Sequence, residues 1–234
     1  MSAVFGFNKN KPAVAQPPVP PAEIRDTLFG DMQLDRWPPM VTGKEVEPWT
    51  SFVRARRAIG EGHKEDAIAA WRAIADMPGL ESRHYVQAWN FLHVVGVHPP
   101  VEKAKLLLGV VIEVPMNGGL DLLAAYPERT ARYYNHKGGG VIWEHGSDLL
   151  DPQINALLQA AQTILNAIGP WGKPRPPAPP EGQLRINILS PAGLHFGQST
   201  FEAFGKDPLA RTAIDAGVTL MNALIDMDLK AGKK

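Results

Sequence analysis

Apolar positions along this chain recur first at helical spacing and then at strand spacing, with the change of period near residue 107. From Pro48, the residues Phe52, Val53 and Ile59, then Ala67, Ile68, Trp71, Ile74 and Ala75, return every three or four places. This predicts two helices, broken at Gly60–Gly62 and ended by Pro78-Gly79. Ser82 is placed to cap a third helix, with Tyr85, Val86, Trp89 and Leu92 on one stripe as far as Gly96. Pro99-Pro100 predicts a short fourth turn or helix.

Beyond residue 107, Leu108, Val110, Ile112 and Val114 alternate with Gly109, Val111 and Glu113, a period of two. Met116-Asn-Gly-Gly119 predicts a hairpin turn, because Asn-Gly tolerates positive φ. Leu120–Tyr126 is then the partner strand. Arg129–Asn135 and Gly140–His145 flank a second hairpin at His136-Lys-Gly-Gly139, giving a four-stranded meander. If Asn135 pairs with Gly140, Arg132 stands opposite Trp143 and Tyr134 opposite Val141.

Asp151-Pro152 predicts a clean helix start, with aspartate at the N-cap and proline at the first helical position. Ile154, Leu157, Leu158, Ala161, Leu165 and Ile168 form its apolar face, and Gly169-Pro170 stops it. A proline-rich connector, Pro170–Gly182, leads to a strand over Gln183–Ser190. Gly193–Gly197 reads as a fifth partner strand or a tight loop. Asp207-Pro208 opens a final helix with Ile214, Val218, Met221 and Ile225 inward. The fold class is therefore α+β: N-terminal helical hairpins on a mostly antiparallel sheet of four to five strands, with two further C-terminal helices.

Three regions follow. Residues 1–48 form a proline-rich arm, partly disordered, since Pro12–Pro21 holds five prolines in ten residues. Ile24, Leu28, Phe29, Leu34 and Trp37 are placed to dock its later half, as one short helix. Residues 49–106 are a helical subdomain and 107–229 an α+β subdomain, the two making one compact unit.

Composition narrows the function more than it names it. With 44% hydrophobic residues, the 234-residue chain can build a core without staples. Its 24 basic and 24 acidic side chains balance, which argues against nucleic acid and anionic membranes as partners. There is no cysteine, so disulfides, thiolate metal sites and cysteine nucleophiles are excluded. No apolar run approaches the roughly 20 residues that cross a bilayer, and a cytoplasmic location is expected.

Candidate chemistry concentrates on the loop Ser190–Ser199, where His195 is bracketed by Gly193 and Gly197. A general base at His195, with Ser190 or Ser199 as nucleophile, is one reading. The plainer one is a turn whose Leu194 and Phe196 pack inward while the imidazole lies at the surface. Arg132 and Tyr134 are candidate ligand contacts; Arg132 beside Trp143 reads either as a ligand clamp or, more simply, as a cross-strand cation–π pair on an exposed sheet face. Arg54 and Arg57 share one face of the first strong helix and are candidate partner contacts, while Arg56 points away. No metal site is expected: among His136, Glu144 and His145, the first two fall roughly 16 Å apart at about 3.3 Å per residue, too far for shared coordination. No cofactor is expected either. Lys173-Pro-Arg-Pro-Pro-Ala-Pro179 has the layout of an aromatic-groove ligand, though a stiff connector is the simpler reading.

Ser51–Ala75 resembles one tetratricopeptide helix hairpin: Ala55, Ala67 and Trp71 fall at its small, small and aromatic positions. Pro78 is one place off and no second repeat follows, so the likeness implies helix-hairpin packing alone. The segments Gly118–Tyr126, Ala131–His136 and Gly193–Gly197 are similar to a family of bacterial hypothetical proteins without assigned activity, which implies a fold and no functional residues. The order of strands and helices after residue 106 also resembles the profilin or roadblock arrangement. Taken together, these features lead to the expectation of a non-enzymatic protein–protein interaction protein, an adaptor or immunity-type partner of unknown oligomeric state. The alternative is a hydrolytic enzyme built on the His195 loop.

Overall fold

The change of period near residue 107 becomes a division into two layers in the computed structural model, which describes residues 21–38 and 46–231. The expectation for residues 1–20 lies outside them. The first layer is helical: α1 (Pro21–Phe29), a 3₁₀ turn at Leu34–Arg36, α2 (Trp49–Gly60), α3 (Lys64–Asp76), α4 (Ser82–Val94) and the single turn α5 (Val101–Ala104). Ile24, Leu28, Phe29 and Trp37 are buried, so the segment after Pro21 docks as expected. Trp37 packs on Trp49 and Phe52 at ring distances of 5.3 and 5.6 Å.

The second layer is a six-stranded antiparallel sheet: β1 (Gly109–Met116), β2 (Gly119–Ala125), β3 (Ala131–Tyr134), β4 (Gly140–Trp143), β5 (Gln183–Ser190) and β6 (Gly193–Thr200). Its order is β4-β3-β2-β1-β5-β6. The meander of the first four strands is as expected. The sheet is one strand larger than expected because the stretch from Gly193 runs on to Thr200 in unbroken register with β5.

Strand alternation sorts the two faces. Val111, Leu122, Ala124 and Leu189 join the helical-layer core, while Val110, Ile112, Leu123, Ile186 and Ile188 join a second core. That second core is closed by α6 (Asp151–Ala167) and α8 (Pro208–Ala231), with the short α7 (Phe201–Lys206) before α8. Among the described residues no helix is long and apolar enough to cross a membrane.

Three local expectations are corrected. The β3–β4 register is one residue away from the expected pairing: Arg132 faces Ile142, Tyr134 faces Gly140, and Trp143 faces Ala131. Asn135 leaves the ladder because it closes the turn instead. Its N–H donates to the Gly139 carbonyl (2.8 Å), and its Oδ1 accepts from the N–H groups of Lys137 and Gly139. A slip of one residue sends a side chain to the other face, so Arg132 and Trp143 lie on opposite sides of the sheet and form no clamp.

In α8 the buried stripe is Ala210, Ala213, Gly217, Leu220 and Leu224. Val218, expected inward, is 47% exposed, and Ile214, Met221 and Ile225 are half-buried at the margins. The helix lies so close to β1 that a Cβ on Gly217 would meet Ile112 Cδ1 at 2.7 Å. Small residues permit that approach, and a hydrophobicity pattern does not register them.

At the start of α6, Asp151 is the first helical residue and not the cap. Ser147 Oγ accepts the Leu149 N–H and opens a 3₁₀ turn (Asp148–Leu150) that leads into the helix. At α8 the expected cap is present, with Asp207 Oδ1 accepting from the N–H groups of Leu209 and Ala210.

Candidate functional site

The sheet face beneath the helical layer carries an ionic cluster. Alternation along β1 puts Glu113 on the same side as Val111, and the register sets Glu113 opposite Arg185 and Val111 opposite Asn187. Glu113 is fully buried, at 0% exposure, and Arg185 is at 3%. Glu113 Oε1 accepts from Arg25 Nε of α1 at 2.7 Å, and Oε2 from Arg185 Nη1 (3.3 Å) and Asn187 Nδ2 (3.1 Å). Arg185 also donates to Gln198 Oε1 and to the Pro177 carbonyl (2.8 Å), and lies over the Phe196 ring. Burial pushes the Arg185 guanidinium below its ordinary pKa, with Glu113 opposing.

The proline-rich connector lies across this cluster as a strap. Arg175 donates to Asp31 (2.6 Å) and Asp26 (2.5 Å) and stacks over Phe29 at 4.6 Å. Arg25 reaches the Pro176 carbonyl at 3.3 Å. Burial raises the Asp31 carboxyl above its usual range despite the Arg175 bonds. The connector reading therefore holds: Arg175 is engaged within the chain, and Lys173, the basic residue of the groove-ligand layout, lies over the Trp171 ring at 5.4 Å. An open cleft of about 450 Å³ borders the strap, lined by Arg25, Met116, Leu120, Pro179 and Glu181 among others.

The His195 loop is built differently from either expectation. His195 is at 0% exposure and Ser190 at 1%, whereas Leu194 and Phe196 are only half-buried. The surface imidazole is thus corrected: pairing of Ile188 with His195 turns the ring to the face of the second core, while Leu194 packs against the helical-layer core as expected and Phe196 meets Trp171 at 5.0 Å. Ser190 Oγ and His195 Nε2 are 3.1 Å apart. The same hydroxyl accepts the Ala192 N–H (3.1 Å) and contacts the Gly193 carbonyl (3.3 Å). Burial lowers the His195 pKa, opposed by backbone groups of Ile168 and Gly169. Ser199 pairs with Leu184, four residues along β6 from His195 and so about 13 Å away. His195 and Ser190 are brought together and Ser199 is not. Among the described residues no carboxylate is paired with His195.

Arg132 and Tyr134 share the helical-layer face of β3. Arg132 is largely buried and pairs with Glu144 at 3.2 Å. Arg54 and Arg57 are both exposed on α2. Arg54 Nη2 donates to Ser51 Oγ (3.3 Å), and Arg56 turns away to the Pro38 carbonyl (3.4 Å).

The sequence reading missed a contrast among the arginines. Arg25, Arg83, Arg129, Arg132, Arg175, Arg185 and Arg211 each have a carboxylate within 4.0 Å. Among the described residues, Arg36, Arg54, Arg56, Arg57 and Arg72 have none, and Arg54, Arg56 and Arg57 stand on α2 itself.

It also missed a cluster at the start of α6. His145 Nε2 lies 3.4 Å from Asp148 Oδ1 and 3.2 Å from Asp151 Oδ1, so these three side chains could hold a metal ion. Arg129 donates to Asp151 Oδ2 at 2.6 Å and already supplies a cation there. The His145-x-x-Asp148-x-x-Asp151 spacing was the available signal. No known protein family, curated protein or solved structure matches this chain.

Proposed function

We propose that this chain is a non-enzymatic protein–protein interaction protein, an adaptor or immunity-type partner, and that α2 is where the partner docks. The observation that supports this reading is the clustering of the unpaired arginines: of the five without a carboxylate among the described residues, Arg54, Arg56 and Arg57 stand together on α2. An ionised guanidinium without a carboxylate offers a fork of donors to a carboxylate on another surface. The inner side of α2 is anchored by Phe52, Ala55 and Ala58, so Arg54 and Arg57 are presented on a packed support. A cytoplasmic location is part of this proposal and rests on the composition alone.

The alternative is a hydrolase, with Ser190 as nucleophile and His195 as base, and the 3.1 Å contact supports it. Against it stand the burial of both side chains and the use of the Ser190 hydroxyl within its own turn. The test is a tagged full-length chain passed through source lysate, with retained complexes resolved by size exclusion and mass spectrometry. A stoichiometric partner kept by the wild type and lost by R54E/R57E is expected. A chain that elutes alone at every salt concentration sinks the proposal.

A further inference from the structure

The outer strand β6 carries an open row of main-chain groups. Leu189 turns its carbonyl toward β1, accepting from Leu108 N–H at 2.8 Å, so its cross-strand partner Leu194 turns outward. In agreement, the Leu194 carbonyl accepts the Trp171 N–H at 2.7 Å, from outside the sheet. By the same alternation Phe196, Gln198 and Thr200 direct their N–H and C=O groups away from β5. Among the described residues no backbone group bonds the outward groups of Phe196 or Gln198. These positions are half-buried, so the edge is accessible.

Proteins blunt such edges with charges, proline or a bulge. β6, Gly-Leu-His-Phe-Gly-Gln-Ser-Thr, has no charged residue and no proline, and its eight pairs with β5 run without interruption. The opposite edge, β4, is four residues long.

We propose that β6 pairs antiparallel with β6 of a second copy of this chain, about a two-fold axis at Gln198. This inference is independent of the partner proposed for α2. Gln198 then faces Gln198 of the second copy, and Phe196 faces its Thr200. An uncharged strand meets its own copy without like-charge repulsion. Two exposed aromatics mark opposite ends of this edge: Trp171, 41% exposed, beside Leu194, and Phe201, 52% exposed, just after Thr200. Antiparallel pairing brings Phe201 of one copy alongside Trp171 of the other. Self-pairing also closes as a dimer, whereas β6 on the β4 edge of another copy would continue into a ring or a filament.

The test is the mass of the full chain against concentration, by light scattering and sedimentation, for wild type, Q198P and Q198A. Proline removes the outward N–H and leaves the ladder to β5 intact, because edge strands tolerate it. Alanine removes the Gln198 side-chain bonds to Arg185 and keeps the N–H. Wild type and Q198A are expected to dimerise and Q198P to do so about tenfold less tightly or worse. Amide exchange in the wild type covers the case in which Q198P does not fold. The Phe196 and Gln198 amides should gain protection as concentration rises, while those of His195 and Gly197 stay protected throughout. A wild type that remains a monomer up to its solubility limit overturns the proposal. So does a dimer that Q198P leaves intact, or an edge whose amides are protected only when a different protein is added.

Discussion

Arg185 and Glu113 face each other across β5 and β1 with the guanidinium 3.3 Å from the carboxylate, both sealed from water between the sheet and the helical layer. Desolvating two ions costs about as much as their attraction returns, so this pair is no evidence of high stability. It does make the remaining partners dependent on one another. Arg25 and Asn187 converge on the same carboxylate.

Replacing Glu113 with glutamine should therefore destabilise the protein by about 3 kcal/mol, because guanidiniums would stay buried without their counter-charge. Urea unfolding monitored by circular dichroism measures this, and a midpoint equal to that of the wild type would refute it.

Stability should also fall on mild acidification through His84. Burial holds its pKa down to about 4, from 6.5, and both ring nitrogens lack a hydrogen-bond partner among the described residues. Above pH 6.5 the ring is neutral in both folded and unfolded chains and contributes no pH dependence. Between pH 6.5 and about 4 the unfolded chain binds the proton first, so up to about 3 kcal/mol is lost as pH falls. H84N or H84Q should flatten that limb of the stability–pH curve. An unchanged limb would place its origin elsewhere.

On α2, R54E/R57E should leave the unfolding midpoint within about 0.5 kcal/mol of wild type, since both side chains are exposed. Partner binding by the wild type should weaken as salt is raised from low to physiological strength, in keeping with exposed charge pairs. Salt-insensitive binding would place the contact on apolar surface instead.

S190A separates the two functional readings. As a turn residue, Ser190 contributes about 1 kcal/mol to stability and nothing else. Should the chain hydrolyse an ester or amide substrate, and S190A abolish that turnover while the fold persists, the hydrolytic reading gains and the interaction reading loses.

The sequence made the helices of the first layer, the meander and the starts of α6 and α8 legible, because each announces itself by period, by Asn-Gly or by Asp-Pro, although the aspartate is a cap only at α8. What escaped it had particular causes. The β3–β4 register turned on one side chain, Asn135, choosing its own turn over the ladder. The inward face of α8 is lined by Ala213 and Gly217, whose value is their smallness and not their hydrophobicity. Glu113, Arg185 and Asn187 alternate with apolar neighbours, a pattern that reads as one wet face and one dry face. Here a second layer covers the wet face, and only the arrival of α1 and the strap reveals it. The candidate residues fared according to reach: Ser190 and His195 are near in sequence and meet, while Ser199 lies down the strand.

The strap has a consequence for the order in which the chain can finish folding. Its Arg175 binds Asp26, 149 residues earlier, and Glu113 binds Arg25 across 88. Helix α1 is synthesised before the ionic partners that hold it, and contacts of such long separation are slow to close. A growing chain holds Asp26 and Asp31 uncompensated until the strap is made. Both ties come from parts of the chain that precede β5 and β6, so α1 can be fastened before the last two strands of the sheet are added.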